Sequence, residues 1–521
     1  MSTQPMPVEG GAQHGKPTWP LIPRPKLDQG MIRSIHYTTQ YVHCPQNSQD
    51  FELHLTRTIL SRTLFGAMTG LLQLPNEVLA IIWDELDAQG FSALRLASKY
   101  ANSATLSAFT RQYFKTRYVM LSRLSLENLV EVARHPVFGP AVRTLEICTD
   151  HFHQFPDSYF HTTRHEGDIF LAIQEGRCLP AVIVDRYPPS EEKGQGPREE
   201  EQEADEGSPS LQDTHAAPVD EVAYKSLWEE QEQIIMPGLA QAYITQALIA
   251  LTNADAVVIS NMHRPWGALV HGRQTGRPPT NAVEDFEAVP FIGRVLRIAL
   301  TALATSGAAL RSLAITVGLS GETITPDILR LSEAHLQYYK SLTPNLTELT
   351  LNISAEGKGG AEDRWTDDLL TFIGMFRQLT QLDLVITPDR FGPQVNRLKE
   401  LVPKLQLSNL QCFGLYRVYC SVQDLAILIM RHKATLQSVT LVRVRTLDGI
   451  GHWKSLFALI RNHLPRLELS IQLCIAKGLV LLYQAEHKDG EEEFEHDFDV
   501  GGNHESWTTA IQAVEASHWP L

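Results

Sequence analysis

The hexamers "LTELTL" (346–351) and "LTQLDL" (379–384) decide the fold of this chain of 521 residues. Each places apolar residues at its first, fourth and sixth positions, a pattern that predicts a β-strand with one buried face. The pattern recurs outward from these copies at "VRTLEI" (142–147), "ADAVVI" (254–259), "LRSLAI" (310–315), "LQCFGL" (410–415), "LQSVTL" (436–441) and "LPRLEL" (464–469). In the last six copies the fourth position falls at 313, 349, 382, 413, 439 and 467, which gives steps of 36, 33, 31, 26 and 28 residues.

Helical patterns lie between these strands. Apolar residues at i, i+3 and i+4 spacing predict helices over 325–342, 365–379, 421–436 and 452–464. Closer to the N-terminus, the sequence predicts a strand at 118–121, a helix at 125–134 and a strand at 142–147. Strands and helices that are apolar on one side bury those sides when they stack, so the alternation predicts a parallel sheet lined by helices.

Two long gaps interrupt the repeat. The first separates Leu145 from Val257 and contains a Pro-rich, acidic stretch, and the second separates Val257 from Leu313. The second gap contains "HRPWGALVHGRQTGRPPTN" (263–281), which we interpret as a loop because Gly and Pro are frequent in it. Both gaps are predicted to be insertions on one face of the array, where binding residues often lie.

The repeat resembles the leucine-rich repeats of the long, irregular kind that carry an α-helix in each unit. The resemblance covers roughly residues 116–486. It implies a solenoid whose strands form one continuous sheet. The variable third positions of the motifs are then expected to line the concave sheet face, and they are Ser312, Glu348, Gln381 and Ser438.

The net charge of −15 is concentrated in two acidic runs. Residues 189–221 hold 11 acids and 2 bases (net −9), and residues 487–505 hold 8 acids and 1 base (net −7). The remainder is close to neutral, which argues against a folded body that binds nucleic acid through a basic face. Both runs are predicted to be solvated, disordered surface, with a docking tail for a basic partner as the alternative.

Composition also bears on the compartment. No uninterrupted run of about 18 apolar residues is present, so no transmembrane helix or membrane partner is predicted. The N-terminal stretch lacks the apolar region of a secretory signal. Six irregularly spaced cysteines are typical of reduced thiols, so we expect a cytoplasmic and/or nuclear protein.

The sequence lacks the motifs of common enzyme classes. It has no P-loop, no G-x-G-x-x-G at a strand–helix turn, no G-x-S-x-G and no H-E-x-x-H. Cys148, His151, His153, His161 and His165 form the best metal-like cluster, but their spacing fits no zinc template. A strand-end cysteine followed by loop histidines is the simpler interpretation, and no cofactor, metal or catalytic residue is predicted.

The stretch "LPNEVLAIIWDEL" (74–86) predicts a helix that is apolar on nearly every side. Two further helical patterns follow, "FSALRLASKY" (91–100) and "ANSATLSAFTRQYF" (101–114). Three short helices bury little surface between them, so a partner is expected to cover the remaining apolar residues.

The pattern of this three-helix stretch resembles an F-box, and its position ahead of the repeats is similar to fungal-type F-box proteins with leucine-rich repeats. The family resemblance implies docking on the Skp-type adaptor and, through it, on the cullin of an SCF ubiquitin ligase. The matching residues, expected to bind the adaptor, are Leu74, Pro75, Glu77, Leu79, Ile82, Leu86, Leu94, Leu96, Ala97 and Lys99.

We therefore predict an α/β chain in which a three-helix F-box precedes an irregular leucine-rich-repeat solenoid with a disordered acidic insert. The predicted parts are a disordered arm (1–50), the F-box (66–115), the first repeat-like units (116–187), the acidic insert (188–222), the solenoid (223–486) and an acidic C-terminal tail (487–521). The expected function is a non-catalytic receptor that presents an unknown protein target to the ligase. The alternative is an F-box-like scaffold that has no role in ubiquitination.

Overall fold

The structure is a computed structural model that describes residues 82, 86, 88–97, 99–154, 220–280, 288–317, 324–342, 345–354, 365–387, 396, 398–477, 479–486, 492–495, 497–501 and 503–517. The chain divides into two compact units, Met1–Thr105 and Leu106–Leu521. The division falls inside the range 66–115 that the sequence assigned to the F-box.

From residue 88 onward, the described part of the first unit is helical. Helix α1 spans Ala88–Ala97, and helix α2 spans Lys99–Tyr113 and continues into the second unit. Phe91 and Ala101 are fully buried, and the Thr105 hydroxyl donates a hydrogen bond to the Ala101 carbonyl at 2.7 Å. These helices match the second and third predicted helices, whereas only Ile82 and Leu86 of the first one are described.

The second unit is built on a ten-stranded sheet whose order follows the chain. Its strands are β1 (Thr116–Val119), β2 (Thr144–Cys148), β3 (Ala256–Ser260), β4 (Ser312–Ile315), β5 (Glu348–Ser354), β6 (Gln381–Thr387), β7 (Cys412–Tyr416), β9 (Ser438–Val442), β11 (Glu468–Gln472) and β15 (Asp497–Gly501). The first nine pair in parallel, and β15 closes the edge antiparallel to β11. The predicted mostly parallel α/β sheet is confirmed.

Helices connect the parallel strands. They are α3 (Arg123–Arg134), α4 (Glu221–Ile235), α5 (Leu239–Ala250), α6 (Ala268–Thr275), α7 (Ala288–Ser306), α8 (Glu333–Leu342), α9 (Trp365–Ile373), α10 (Leu398–Leu401), α11 (Val422–Arg431) and α12 (Ile450–His463). Helix α3 begins after Ser122, whose side chain accepts a hydrogen bond from the Ser125 amide, and Ser421 caps α11 in the same way at the Asp424 amide. Helix α4 begins at Glu221, so the acidic insert ends before the predicted residue 222.

The core lies between the sheet and these helices. The second and fourth residues of each strand from β2 onward face it, as Leu349 and Leu351 do in β5, and both are fully buried. The same register positions in the neighbouring strand hold Leu382 and Leu384. Burying one leucine side chain contributes about 1.5–3 kcal/mol, which explains why the leucine hexamers determine the fold.

A second, smaller sheet follows the first in the last repeats. Strands β8 (Tyr419–Cys420), β10 (Arg445–Thr446) and β12 (Ile475–Ala476) pair in parallel. A residue with positive φ connects each to the preceding long strand: Arg417 (59°), Arg443 (53°) and Leu473 (49°). The identical turn in three successive units shows that they are structural repeats, although non-glycine residues adopt this backbone region infrequently.

The final repeat has a different register from the predicted one. Leu469 pairs with Val439, which pairs with Phe413, so Leu469 and not Leu467 occupies the fourth motif position. The last step is therefore 30 residues long, counted from Val439 to Leu469. Leu467 is also buried and lies two residues before Leu469, so the period-two pattern does not distinguish the two registers in the sequence.

Two predicted local structures are wrong. The loop predicted at 263–281 contains α6, whose ends are set by Gly267 (φ 98°) and Gly276 (φ 69°) in the left-handed region that glycine favours. The helix predicted at 325–342 is divided into a 3-10 turn, Pro326–Leu329, and α8.

The acidic C-terminal tail was predicted to be disordered, and this prediction is also wrong. Residues within 487–521 form β14 (Glu492–Glu495), β15, α13 (His504–Ala513) and β16 (Val514–Ser517), and β14 and β16 pair with β13 (Leu479–Glu486). The acids of this run alternate with apolar residues, so one side of a strand can still be buried: Val500 faces the core opposite Leu469. Trp507 of α13 is fully buried against Phe457.

Among the described residues, one helix, α7, has the length and apolar composition to cross a membrane. However, 61% of its most apolar 18-residue window is buried inside the structure. Val295, Leu296 and Ala299 belong to the main core, so packing within the fold explains the apolar sequence of α7.

Candidate protein-binding surfaces

The predicted adaptor-binding residues are described in part. Leu74, Pro75, Glu77 and Leu79 lie outside the described residues. Ile82, Leu86 and Leu94 are half-buried, Leu96 is 66% exposed, and Lys99 is exposed; of Ala97 only its place at the end of α1 is described.

Two large apolar side chains stand out in the first unit. Leu96 near the end of α1 and Tyr100 near the start of α2 are 66% and 62% exposed. They are only four residues apart in the sequence, and one of them, Leu96, belongs to the predicted adaptor-binding set. A partner that covered these two side chains would remove their apolar surface from water, which favours association.

The sheet of the second unit has a face opposite the helix-lined core, which we call the open face. It comprises the first residue of each of the nine parallel strands and every second residue after it, because side chains alternate along a strand. The predicted residues Ser312, Glu348, Gln381 and Ser438 are all first residues of strands and lie in one register row. Their shared register row places them on this face, and all four are half-buried.

The open face carries acids without bases. Among the residues whose side chains the structure describes, four acids lie on it between β5 and the β15 edge: Glu348, Asp383, Glu468 and, opposite Ser470, Asp499. No lysine or arginine occupies an open-face position in the nine parallel strands, all of which are described. We call these four residues the acidic face.

Three of these acids act on one thiol. Burial raises the pKa of Cys412, and the carboxylates of Asp383, Glu348 and Glu468 raise it further. The carboxylates therefore produce a common negative potential at Cys412. This potential disfavours the thiolate, so Cys412 is a poor nucleophile at neutral pH.

Asp383 is held in place by its neighbours. Gln381 Nε2 donates to one of its carboxylate oxygens at 2.8 Å, and the Tyr416 hydroxyl donates to the other at 3.4 Å. Burial, followed by the charge of Asp383, raises the pKa of Tyr416 to about 12, so the phenol stays protonated and remains a donor. Gly414 leaves room for this arrangement, since a Cβ there would overlap Asp383 Oδ1.

Ion pairing neutralises the acidic face only in part. Arg311 Nε lies 3.4 Å from Glu348 Oε1, with the arginine side chain 63% exposed. Among the described residues, no lysine or arginine forms an ion pair with Asp383, Glu468 or Asp499. Exposed charges without counter-charges are available to a partner of opposite sign.

A separate polar cluster lies at the ends of β2 and β3. Glu146 is 5% exposed and accepts hydrogen bonds from Ser260 Oγ at 2.5 Å and from His263 Nδ1 at 2.9 Å. The serine bonds the carboxylate and not the imidazole, so the three residues do not form the nucleophile–base pair that serine catalysis uses.

Asp150 adjoins this cluster and is fully buried. Its Oδ1 lies 2.7 Å from Arg264 Nη1, whereas Oδ2 has no hydrogen-bond partner. Burial raises the pKa of Asp150 from 3.8 to about 6, and the Arg264 charge offsets only part of that effect. The ion pair therefore compensates incompletely for removing the carboxylate from water.

The residues of the metal-like cluster make other contacts. Cys148 ends β2 and is buried, which raises the pKa of its thiol well above the ordinary value. His151 stacks on Phe291 with ring centroids 4.4 Å apart, and His153 Nε2 lies 3.4 Å from a threonine hydroxyl. His161 and His165 lie outside the described residues. In the described ranges, no three His, Cys, Asp or Glu side chains are placed to hold a metal ion.

Sequence reasoning found one row of the open face and missed the next. Asp383 and Gly414 are third residues of their strands, so period-two alternation from the predicted first residues would have located them. Asp499 could not be located in this way, because its run was interpreted by composition and not by alternation.

Comparison with known proteins finds no protein-family model that matches this chain and no similar curated protein. The fold is α/β with a mostly parallel sheet, and it is compatible with a repeat solenoid.

Proposed function

We propose that this protein is an F-box receptor, the substrate-recognition subunit of an SCF cullin–RING ubiquitin ligase. The residues around Leu74–Lys99 bind the Skp-type adaptor, and the open face of the sheet binds the target. The observation that carries the proposal is the exposed pair Leu96 and Tyr100 within the F-box-like pattern. A small helical unit that leaves such side chains in water gains stability when a partner covers them.

The repeats of the proposed receptor are leucine-rich repeats of the long, irregular kind. In support, nine parallel strands follow one another in chain order with helices between them. The Asn/Cys position of that repeat pattern, three residues after the third apolar position, falls on Val418, Val444 and Cys474 in the last repeats. All three are buried, and Cys474 Sγ donates to the Leu441 carbonyl at 3.4 Å, a contact that joins neighbouring units.

The proposed mechanism is proximity and requires no catalytic residue in this chain. A target held on the receptor shares one complex with the ubiquitin-charged conjugating enzyme, which another subunit recruits. Holding both reactants together raises the effective concentration of the target lysine by orders of magnitude. The affinity of the open face for the target and the geometry of the complex then determine the rate.

Adaptor binding by the full chain tests the proposal. We expect the intact protein to bind recombinant Skp-type adaptor, and we expect the Leu96→Ala/Tyr100→Ala variant to bind about tenfold or more weakly, since truncated interface anchors commonly cost over 1 kcal/mol. Ile249→Ala is the matched control, because Ile249 is 62% exposed in the second unit. Absence of adaptor binding by the intact chain, or an equal loss in the control, would refute the F-box assignment.

Ubiquitination separates a receptor from a scaffold. In a reconstituted ligase with the adaptor, cullin, RING subunit and conjugating enzyme, we expect ubiquitin chains on this protein or on a bound target. The Leu96→Ala/Tyr100→Ala variant should reduce them in proportion to its lost adaptor affinity. Adaptor binding without any assembly into a cullin complex would instead favour the scaffold.

A further inference from the structure

We propose that the acidic face, Glu348, Asp383, Glu468 and Asp499, binds an extended basic segment of the target protein. The inference deepens the proposed function, on which it rests for the identity of the bound protein as a ligase target. The occupant is a stretch of about seven residues that carries several lysine or arginine side chains. Its size and charge follow from the sheet.

The spacing of the strands sets the length of the bound segment. Five strand-to-strand steps separate β5 from β15 in the order β5-β6-β7-β9-β11-β15. Neighbouring strands lie about 4.8 Å apart, so the acids extend over roughly 24 Å. An extended segment rises about 3.4 Å per residue, and seven residues therefore cross the acidic face.

The negative charge of the acidic face sets the composition of the bound segment. The acids are drawn from strands far apart in sequence and share their face with no lysine or arginine side chain of the nine parallel strands. Like charges on one face repel, a cost that a basic segment would remove. Asp383 is already positioned by Gln381 and Tyr416, so its carboxylate loses little freedom on binding.

Two buried polar side chains lie further along the same side of the sheet, and each has an atom without a hydrogen-bond partner. Asn352 occupies an open-face position of β5 and is fully buried. Its Nδ2 donates to the Val317 carbonyl at 2.7 Å, but its Oδ1 has no partner. Thr387, at the corresponding end of β6 and 9% exposed, also has an unpartnered hydroxyl. Ammonium and guanidinium groups supply the donors that the carboxylates of the acidic face accept.

The chemistry excludes nucleic acid and acidic peptides as occupants of this face, because their charge has the same sign as the carboxylates. It also distinguishes the face from the turns that follow β7 and β9. Arg417 and Arg443 are adjacent in the register there, and Arg445 lies over the Tyr419 ring at 5.5 Å. The sheet is therefore acidic on its open face and basic at the turns beyond it.

The test measures binding of the full chain to a labelled Lys-Ser-Lys-Ser-Lys-Ser-Lys peptide by fluorescence anisotropy. Two triple variants change the charge equally. Glu348→Gln/Asp383→Asn/Glu468→Gln neutralises the acidic face. The matched control neutralises three exposed helix acids and is Glu131→Gln/Glu229→Gln/Glu333→Gln.

We expect the face variant to bind the peptide at least about threefold more weakly than the unmodified chain, because exposed charge pairs contribute modestly but additively. The control variant should stay within about twofold, and a Glu-Ser peptide of the same length should not bind. Binding should also weaken as salt rises from 50 to 300 mM.

Equal losses in the two variants, or unchanged binding by the face variant, would overturn the inference. The same samples are tested for binding to the Skp-type adaptor, which the face variant should leave intact. Adaptor binding without peptide binding would refute only the inference that the acidic face binds a basic segment. Peptide binding lost only in the face variant, without adaptor binding by the intact chain, would refute the F-box assignment alone.

Discussion

Asp150 should make the protein less stable as the pH rises, contrary to the usual behaviour of a paired carboxylate. The side chain is fully buried, and burial raises its pKa from 3.8 to about 6 despite Arg264 at 2.7 Å. The folded state therefore holds this proton more tightly than the unfolded state does. Stability from this group is fully present below about pH 4 and is lost as the pH rises through about 6.

The size of the stability change follows from the shift in the pKa of Asp150. A difference of about two pH units, at 1.36 kcal/mol per unit, corresponds to about 3 kcal/mol in total. Between pH 4.5 and 7.5 about 2 kcal/mol of this change is expected. In Asp150→Asn the side chain no longer titrates, but its amide oxygen still accepts from Arg264. As the pH rises from 4.5 to 7.5, the free energy of unfolding of the variant should therefore increase by about 2 kcal/mol relative to that of the unmodified chain.

Urea unfolding followed by tryptophan fluorescence at several pH values measures the difference. Asp367→Asn serves as the control, because Asp367 is 60% exposed beside Lys404. The difference in unfolding free energy between this variant and the unmodified chain should change little with pH. A flat difference between the unmodified chain and Asp150→Asn would show that burial does not dominate. An opposite slope would show that the attraction of Arg264 exceeds the cost of burial.

Three further substitutions test the packing. Leu382→Ala removes a fully buried strand residue and should lower the free energy of unfolding by about 2–5 kcal/mol in urea titrations. Thr446→Val leaves the buried Trp453 indole N–H without its acceptor at 3.0 Å and should cost about 1–3 kcal/mol, which thermal unfolding would detect. Gly414→Ala pushes a methyl group against the Asp383 carboxylate and should cost about 1–3 kcal/mol; an unchanged urea midpoint would contradict the close packing.

The strands could be predicted because their signal is local. Leu349 and Leu351 are buried on one side while Glu348 and Thr350 face the other, and that alternation is visible in six letters. Helix α6 could not be predicted, because eight residues between two glycines carry too little periodicity to distinguish a helix from a loop. The register of β11 depended on which of two buried leucines, Leu467 or Leu469, occupies the fourth motif position, and only strand pairing decides that.

The folded C-terminal run shows where composition misleads. Residues 487–505 were interpreted by their net charge of −7, but charge summed over a run does not say on which side of a strand it lies. In β15, Val500 faces the core and Asp499 is exposed on the other side. Alternation with period two makes an acidic sequence compatible with a buried strand face.

The same argument applies to the whole folded body. Its sum near zero argued against a basic face that binds nucleic acid, but it did not show that the fold separates the signs, with carboxylates on the open face and Arg417 and Arg443 at the turns. In the proposed complex this separation has a chemical consequence. A lysine held by Asp383 or Glu468 stays protonated, and only a neutral amine attacks the ubiquitin thioester. The lysines that bind the acidic face are therefore poor acceptors, and the modified lysine must lie outside the seven-residue segment, within reach of the conjugating enzyme.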